Sequence, residues 1–193
     1  MQKIAVVTGG SRGIGFGIAS QLAEDGFHVV IMAVSPREKH KEHLLLLENY
    51  PSGYTYIQGS IASREDRIRC ISQVIREYGR IDVLVNNAGI APQKRTDLLD
   101  MTEESFDELI QTNTKGTMFL SQLAAKQMLC QEAVNGGLLL IFHPCRLWFL
   151  RSIGENTVYP RQEFPCLHVC MPTGLRENRY MFMKYGRGLL QRI

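Results

Sequence analysis

The segment Thr8-Gly9-Gly10-Ser11-Arg12-Gly13-Ile14-Gly15 constrains the fold more than any other part of the chain. Before it, residues 3–8 form a short apolar, β-branched run of the kind a buried parallel strand shows. After it, Ile14, Ile18, Leu22 and Ala23 recur at helical spacing, and Gly26 is placed to close that helix. A strand, a glycine turn and a helix in direct succession aim backbone N–H groups at one point, where the helix dipole favours an anion. Glycines alone can make any tight turn. Their position between a strand and a helix is what points to a phosphate cradle.

The same alternation continues downstream. Residues 29–33 read as a second strand, Pro36 opens a charged helix carrying Leu44–Leu47, and Tyr54–Gln58 reads as a third strand. Ser63 is placed to cap a helix running to about Tyr78, and residues 81–85 read as a fourth strand. Thr102 is placed to cap a long amphipathic helix through Phe106, Leu109, Met118, Leu120, Leu123 and Met128, with Glu103 and Glu104 near its positive end. Gly137 ends that pattern, and residues 138–142 read as a fifth strand. Strand and helix in turn predict an α/β fold, a doubly wound parallel sheet of Rossmann type with helices on both faces.

After Phe142 the periodicity stops. This tail holds four of the seven prolines, the single Trp and three of the five cysteines, and it contains no Ala and no Asp. It also carries the positive charge: there are 14 basic and 16 acidic residues through Gly137, then 8 basic and 3 acidic. The tail arginines are scattered among prolines and aromatics, in neither a run nor a helical stripe, which argues against a nucleic-acid role. The division expected is therefore 1–142 as a dinucleotide-binding domain and 143–193 as a poorly structured tail, too short and too mixed for a core of its own.

No apolar run reaches the roughly 18 residues that cross a bilayer, so no membrane role is expected. Met1-Gln2-Lys3-Ile4 leads directly into the first strand, which argues against a signal peptide. Five cysteines without framework spacing suit free thiols in a reducing compartment, and a cytoplasmic location is expected. Cys166, His168 and Cys170, with His143 or Cys145, could be imagined as a zinc site. Their spacing is not that of zinc ligands, and no metal is expected.

The chain resembles the short-chain dehydrogenase/reductase family, and within it the β-ketoacyl carrier-protein reductases, over residues 1 to about 137. Thr8, Gly9, Gly13, Ile14 and Gly15 match the glycine signature, and Asn86-Asn87-Ala88-Gly89 stands where the family's second signature follows the fourth strand. The resemblance implies a nicotinamide cofactor held by Thr8, Gly9, Ser11, Arg12, Gly13, Ile14, Gly15, Asn87, Ala88 and Gly89, and hydride transfer between carbonyl and alcohol. It also implies contacts from Ser60 and Ile61 near the adenine, although Ser60 stands where the family commonly has an Asp. Asn113, in the long helix, matches the family's proton-relay Asn.

A carboxylate at the end of the second strand is what selects NAD(H), by accepting the ribose 2′-OH. Here Ala33-Val34-Ser35-Pro36-Arg37 carries none. With Ser35, Arg37 and Arg12 as candidate partners for a 2′-phosphate, NADP(H) is favoured over NAD(H). Both arginines are equally readable as solvated surface charge.

The resemblance also says what is missing. Family spacing asks for a Ser near 144, a Tyr near 157 and a Lys near 161; the chain has Pro144, Thr157 and Arg161. Tyr180 and Lys184 are four apart, but far too late in the chain, and Leu167 stands where their Ser would be. A frameshift accounts for this better than chance does. Read one base out of phase after Gly137, residues 140–144 permit Asn-Ile-Ser-Ser. The Asn156/Thr157 junction permits only Tyr or His, and the Pro160/Arg161 junction permits Lys. Residues 185–188 permit Arg-Pro-Gly, and residues 191–193 permit Thr-Asp. No stop codon is forced in that phase. Three functions stay open: an oxidoreductase by ancestry that lacks its proton donor, a non-catalytic nucleotide-binding protein, and a non-functional product that fails to fold. An oligomer is expected only of an intact homologue.

Overall fold

The computed structural model describes residues 2–94, 97–131, 138–143, 166–170 and 181–183. Five strands run parallel: β1 (Ile4–Thr8), β2 (His28–Ala33), β3 (Tyr54–Gln58), β4 (Val83–Asn86) and β5 (Leu138–His143), in the spatial order β3-β2-β1-β4-β5. The connecting helices are α1 (Gly13–Glu24), α2 (Lys41–Glu48), α3 (Arg64–Tyr78), α4 (Glu103–Leu109) and α5 (Thr117–Cys130). A short 3-10 turn, Arg37–His40, precedes α2.

Alternation along β1 builds the two faces. Ala5 and Val7 pack with Ala19 and Ala23 of α1 and with Leu44 and Leu47 of α2. Ile4 and Val6 pack with Cys70, Ile71 and Val74 of α3 and with Leu120, Ala124 and Met128 of α5. The Ile4, Val6 and Val7 side chains are fully buried, each contributing about 1.5–3 kcal/mol. The sheet is thus doubly wound, with the order of connections reversing between β1 and β4. Ligands of such sheets bind at the carboxyl ends of the strands beside that reversal.

The helix caps fall where the sequence places them. Ser63 Oγ accepts from Asp66 N at 3.1 Å, and Thr102 Oγ1 accepts from Ser105 N at 3.3 Å. Gly26, at φ 86°, closes α1. At the amino ends of the central strands, Asp82 accepts from Ile4 N and from Arg80 Nε, tying the start of β1 to β4.

Three features differ from the sequence expectation. Of the expected stripe on α1, Ala23 is buried and Ile18 and Leu22 pack at the rim of the core, but Ile14 is 70% exposed; Gly15 and Ala19 are buried beside Ala23, because a close helix–strand approach needs short side chains. The long helix is interrupted by a π-helical stretch, Ile110–Gly116, and Met118 beyond it points to solvent at 62% exposure. Beyond β5 the strand sense reverses: β6 (Cys166–Cys170) runs antiparallel to β5, and β7 (Met181–Met183) antiparallel to β6. The break in βα alternation after Phe142 coincides with that reversal.

Candidate functional site

The site is built at the carboxyl ends of β1 and β4, where Thr8 and Asn86 are register partners. Thr8 Oγ1 donates to Val85 O at 3.2 Å and accepts from Asn87 N and Ala88 N, both at 3.0 Å. Asn87 Nδ2 returns the contact, donating to Thr8 O and Gly9 O at 3.1 Å each. The glycine turn and the Asn-Asn-Ala-Gly turn are therefore one hydrogen-bonded unit. Asn86 joins it to the long helix, its Nδ2 donating to Ser121 Oγ at 3.0 Å, with both side chains buried.

Backbone conformation then explains the glycines. Gly9 sits at φ 64° and Gly13 at φ 56°, left-handed positions that favour glycine. Gly15 has an ordinary φ but no room: a Cβ there would lie 2.3 Å from Asn87 Nδ2 and 2.3 Å from Gly9 O. With that approach allowed, α1 starts directly at the mouth of the site. Arg12 occupies its N-cap position without a side-chain cap bond, and the first turn has no acidic residue. The first N–H groups of a helix have no intrahelical partner, and a terminus of this kind favours an anion.

The other expected residues lie on the neighbouring turns, one of them directed away from this centre. Ser11 is buried beside the Tyr56 hydroxyl, which donates to Ser35 O at 2.7 Å. Burial pushes the Tyr56 phenol above its usual value, against a smaller opposing effect of its hydrogen bond with Ser11. Arg12 is exposed and acts on His40, whose pKa is held below its ordinary value by burial first, then by Arg12, His43 and Lys39. His40 Nε2 is buried without a hydrogen-bond partner. Arg37 turns to the outer edge of the sheet, donating to Tyr54 Oη at 2.7 Å and pairing with exposed Glu48 at 3.4 Å.

On the far side, Ser60 donates its backbone N–H to Asp66 Oδ2 at 2.9 Å, and its Oγ accepts from Ala62 N. Ile61 is in the core at 4% exposure. Ala88 packs on the same core, and Gly89 is exposed. Asn113 lies in the π-helical stretch, and both ends of its amide engage one residue: Oδ1 accepts from Ile90 N at 2.8 Å and Nδ2 donates to Ile90 O at 2.9 Å. That pairing ties the strand-end turn to the long helix.

Sequence reasoning missed Tyr56, His40 and the clamp by Asn87. Tyr56 and His40 carry no motif; only the pairing of β2 with β3 and the turn after Pro36 bring them to the site. Pro144, Thr157, Arg161, Tyr180 and Lys184 lie outside the described residues, as does Cys145. Cys166, His168 and Cys170 lie on β6, where Cys166 is the register partner of His143. Among the described residues, no helix is long and apolar enough to cross a membrane.

A doubly wound sheet with a glycine turn at its reversal point defines a Rossmann-type fold of the α/β class. The sequence pattern of the short chain dehydrogenase family matches residues 3–141, and the chain belongs to that family. It is similar to the 3-oxoacyl-[acyl-carrier-protein] reductase FabG of Staphylococcus aureus, at 38% identity over 133 residues, covering 69% of this chain and 53% of that protein. A 3-oxoacyl-[acyl-carrier protein] reductase from Brucella melitensis, solved in complex with NAD, superposes with a TM-score of 0.65 at 33% identity, covering 70% of this chain and 53% of that one. A short chain dehydrogenase from Burkholderia cenocepacia, solved in complex with NADP, gives 0.59 at 35% identity, covering 64% and 50%. The chain spans about half the length of the curated relatives it matches.

Proposed function

We propose that residues 1–142 bind a nicotinamide dinucleotide, with NADP(H) favoured over NAD(H), and that the chain carries no residue to complete a carbonyl reduction. The observation that carries the first part is the Gly15–Asn87 contact. It seats the uncapped amino terminus of α1 directly against the glycine turn, and the N–H groups of such a terminus fit a pyrophosphate. Thr8, Gly9, Ser11, Arg12, Gly13, Ile14 and Gly15 would hold it, with Asn87, Ala88 and Gly89 along its nicotinamide side. When bound, the dinucleotide supplies a hydride.

The NADP(H) preference draws on the end of β2. No carboxylate stands there to repel a 2′-phosphate. Arg12, Lys39 and His43 act on His40, whose buried Nε2 lacks a partner, and a phosphate dianion beside them would relieve that concentration of positive charge. Ser35 and Arg12 are the better candidates; Arg37 is already engaged by Tyr54 and Glu48. Replacing Ser35 with Asp is expected to reverse the preference by tenfold or more, and an unchanged NADPH/NADH ratio would refute the assignment.

By ancestry the protein is an oxidoreductase acting on CH–OH groups, of the 3-oxoacyl reductase type. Such a reduction needs a proton from a phenol tuned towards neutral pH. Residues 143–193 offer none at family spacing, and a frameshift at or just before Gly137 accounts for the loss. The family pattern ends at residue 141, a few residues beyond that junction, and the match covers 53% of a longer relative, which supports a loss of family sequence in this region. The nucleotide sequence from Asn135 to Leu138 tests it: an inserted or deleted base is expected. A continuous frame, with related genes encoding the same arginine- and proline-rich ending, would overturn it. Free Cys70 and Cys130 support a reducing compartment, and we place the protein in the cytoplasm.

A second reading, a product that does not remain folded, draws on Met118, Phe119 and Leu129, which are 62%, 43% and 68% exposed along α5. A monodisperse, cooperatively melting sample would remove it.

A further inference from the structure

Arg67 is a charged side chain where an apolar one would be cheaper. It stands in the first turns of α3 at 4% exposure, with its Nε buried and unpartnered. The ion pairs of α3 go elsewhere, Asp66 pairing with Arg69 at 2.8 Å. Removing a cation from water without a salt bridge is costly, and burial depresses its pKa, against a smaller opposing effect of Glu65. A Leu or Met of similar volume would fill the space without that cost.

What the guanidinium does is hold one turn. Its Nη1 donates to both Ile61 O and Ala62 O, the second at 3.1 Å, and its carbon lies 5.9 Å from the centre of the Phe119 ring on α5. Gln111 Nε2, from the π-helical stretch, donates to the same Ala62 O at 2.9 Å. Gly116 gives the turn room to press in: a Cβ there would lie 2.7 Å from Ile61 O. Arg67, Gln111 and Gly116 thus fasten the turn after β3 to the long helix.

That turn has a definite place relative to the cleft. The end of β2 is where such folds meet the adenosine ribose. β3 is the next strand outward, so the turn at its carboxyl end would face the base of a dinucleotide bound there. We propose that Arg67 is a positioning residue, which fixes the turn at residues 60–62 against the long helix and so sets the wall of the cleft that meets the adenine of the dinucleotide. The inference rests on the dinucleotide reading of the cleft.

The test compares NADP+ with its deamino analogue, in which hypoxanthine replaces adenine, by titration calorimetry on the full chain. A merely structural residue would weaken both ligands together and leave their affinity ratio unmoved. Arg67→Met is expected to change that ratio threefold or more, and Arg67→Lys to restore part of the change. Gly116→Ala, which pushes the same turn from the other side, is expected to move the ratio without touching Arg67, and it stands in if Arg67→Met does not fold. An unmoved ratio in the folded variants overturns the inference and leaves the cleft reading intact. Failure of the unaltered chain to bind either dinucleotide overturns both.

Discussion

Adding one methyl group at Gly15 should damage the protein, and adding one two residues later should help it. At Gly15 the new Cβ would sit 2.3 Å from Asn87 Nδ2 and from Gly9 O, with Gly9 C at 2.9 Å. Ordinary van der Waals contact begins at 3.4 Å, so about 1 Å of separation must be found. Two of the three obstructing atoms are backbone, and Asn87 can withdraw only by giving up its bonds to Thr8 O and Gly9 O. Those two bonds are worth about 1 kcal/mol each, and overpacking adds about 1–3 kcal/mol. Alanine's better helix propensity returns up to about 1 kcal/mol. Gly15→Ala should therefore cost about 2–4 kcal/mol and lower Tm by about 5–15 °C. At Gly17 nothing lies within 4 Å of the added atom, so Gly17→Ala should stabilise by about 0.5–1 kcal/mol. Thermal melts followed by circular dichroism read both. A Gly15→Ala melt at or above that of the unaltered chain would refute the reasoning.

Other outcomes follow from the same geometry. Asn113→Leu should destabilise by about 2–3 kcal/mol, since it strands Ile90 N and Ile90 O together; denaturant titration measures it. Burial pushes the Cys70 thiol up to about 12, so at pH 8 it should resist alkylation in the folded chain while exposed Cys130 reacts, as peptide mapping would show. His40, held below its ordinary 6.5, binds fewer protons folded than unfolded; it contributes stability above pH 6.5 that is lost as pH falls through its folded value. A 2′-phosphate beside it should raise that value, so NADP+ binding should take up protons below pH 6.5 and NAD+ binding should not, as calorimetry in buffers of different ionisation enthalpy would show.

Much of this was legible from local chemistry. Ser63 and Thr102 cap the helices they precede, and Gly26 closes α1, because caps are decided within a few residues. The cradle was legible as a motif, but its cause was not: Gly15 is required by Asn87, which the chain reaches only after crossing the sheet. Ile14 was misleading for the same reason, since the helical period cannot say that the face toward β1 must be the small one. The burial of Arg67 and the turning away of Arg37 towards Tyr54 are likewise set by tertiary neighbours. The π-helical stretch around Asn113 leaves no mark in the apolar period, because Phe106 and Leu109 before it and Leu120 after it still read as one helix.

Titrating the purified chain with NADPH and with NADH, with and without a ketone, measures the account at its centre. NADPH should bind more tightly than NADH, and neither should be oxidised. Steady oxidation that Tyr180→Phe abolishes, or a folded chain to which no dinucleotide binds, would contradict it.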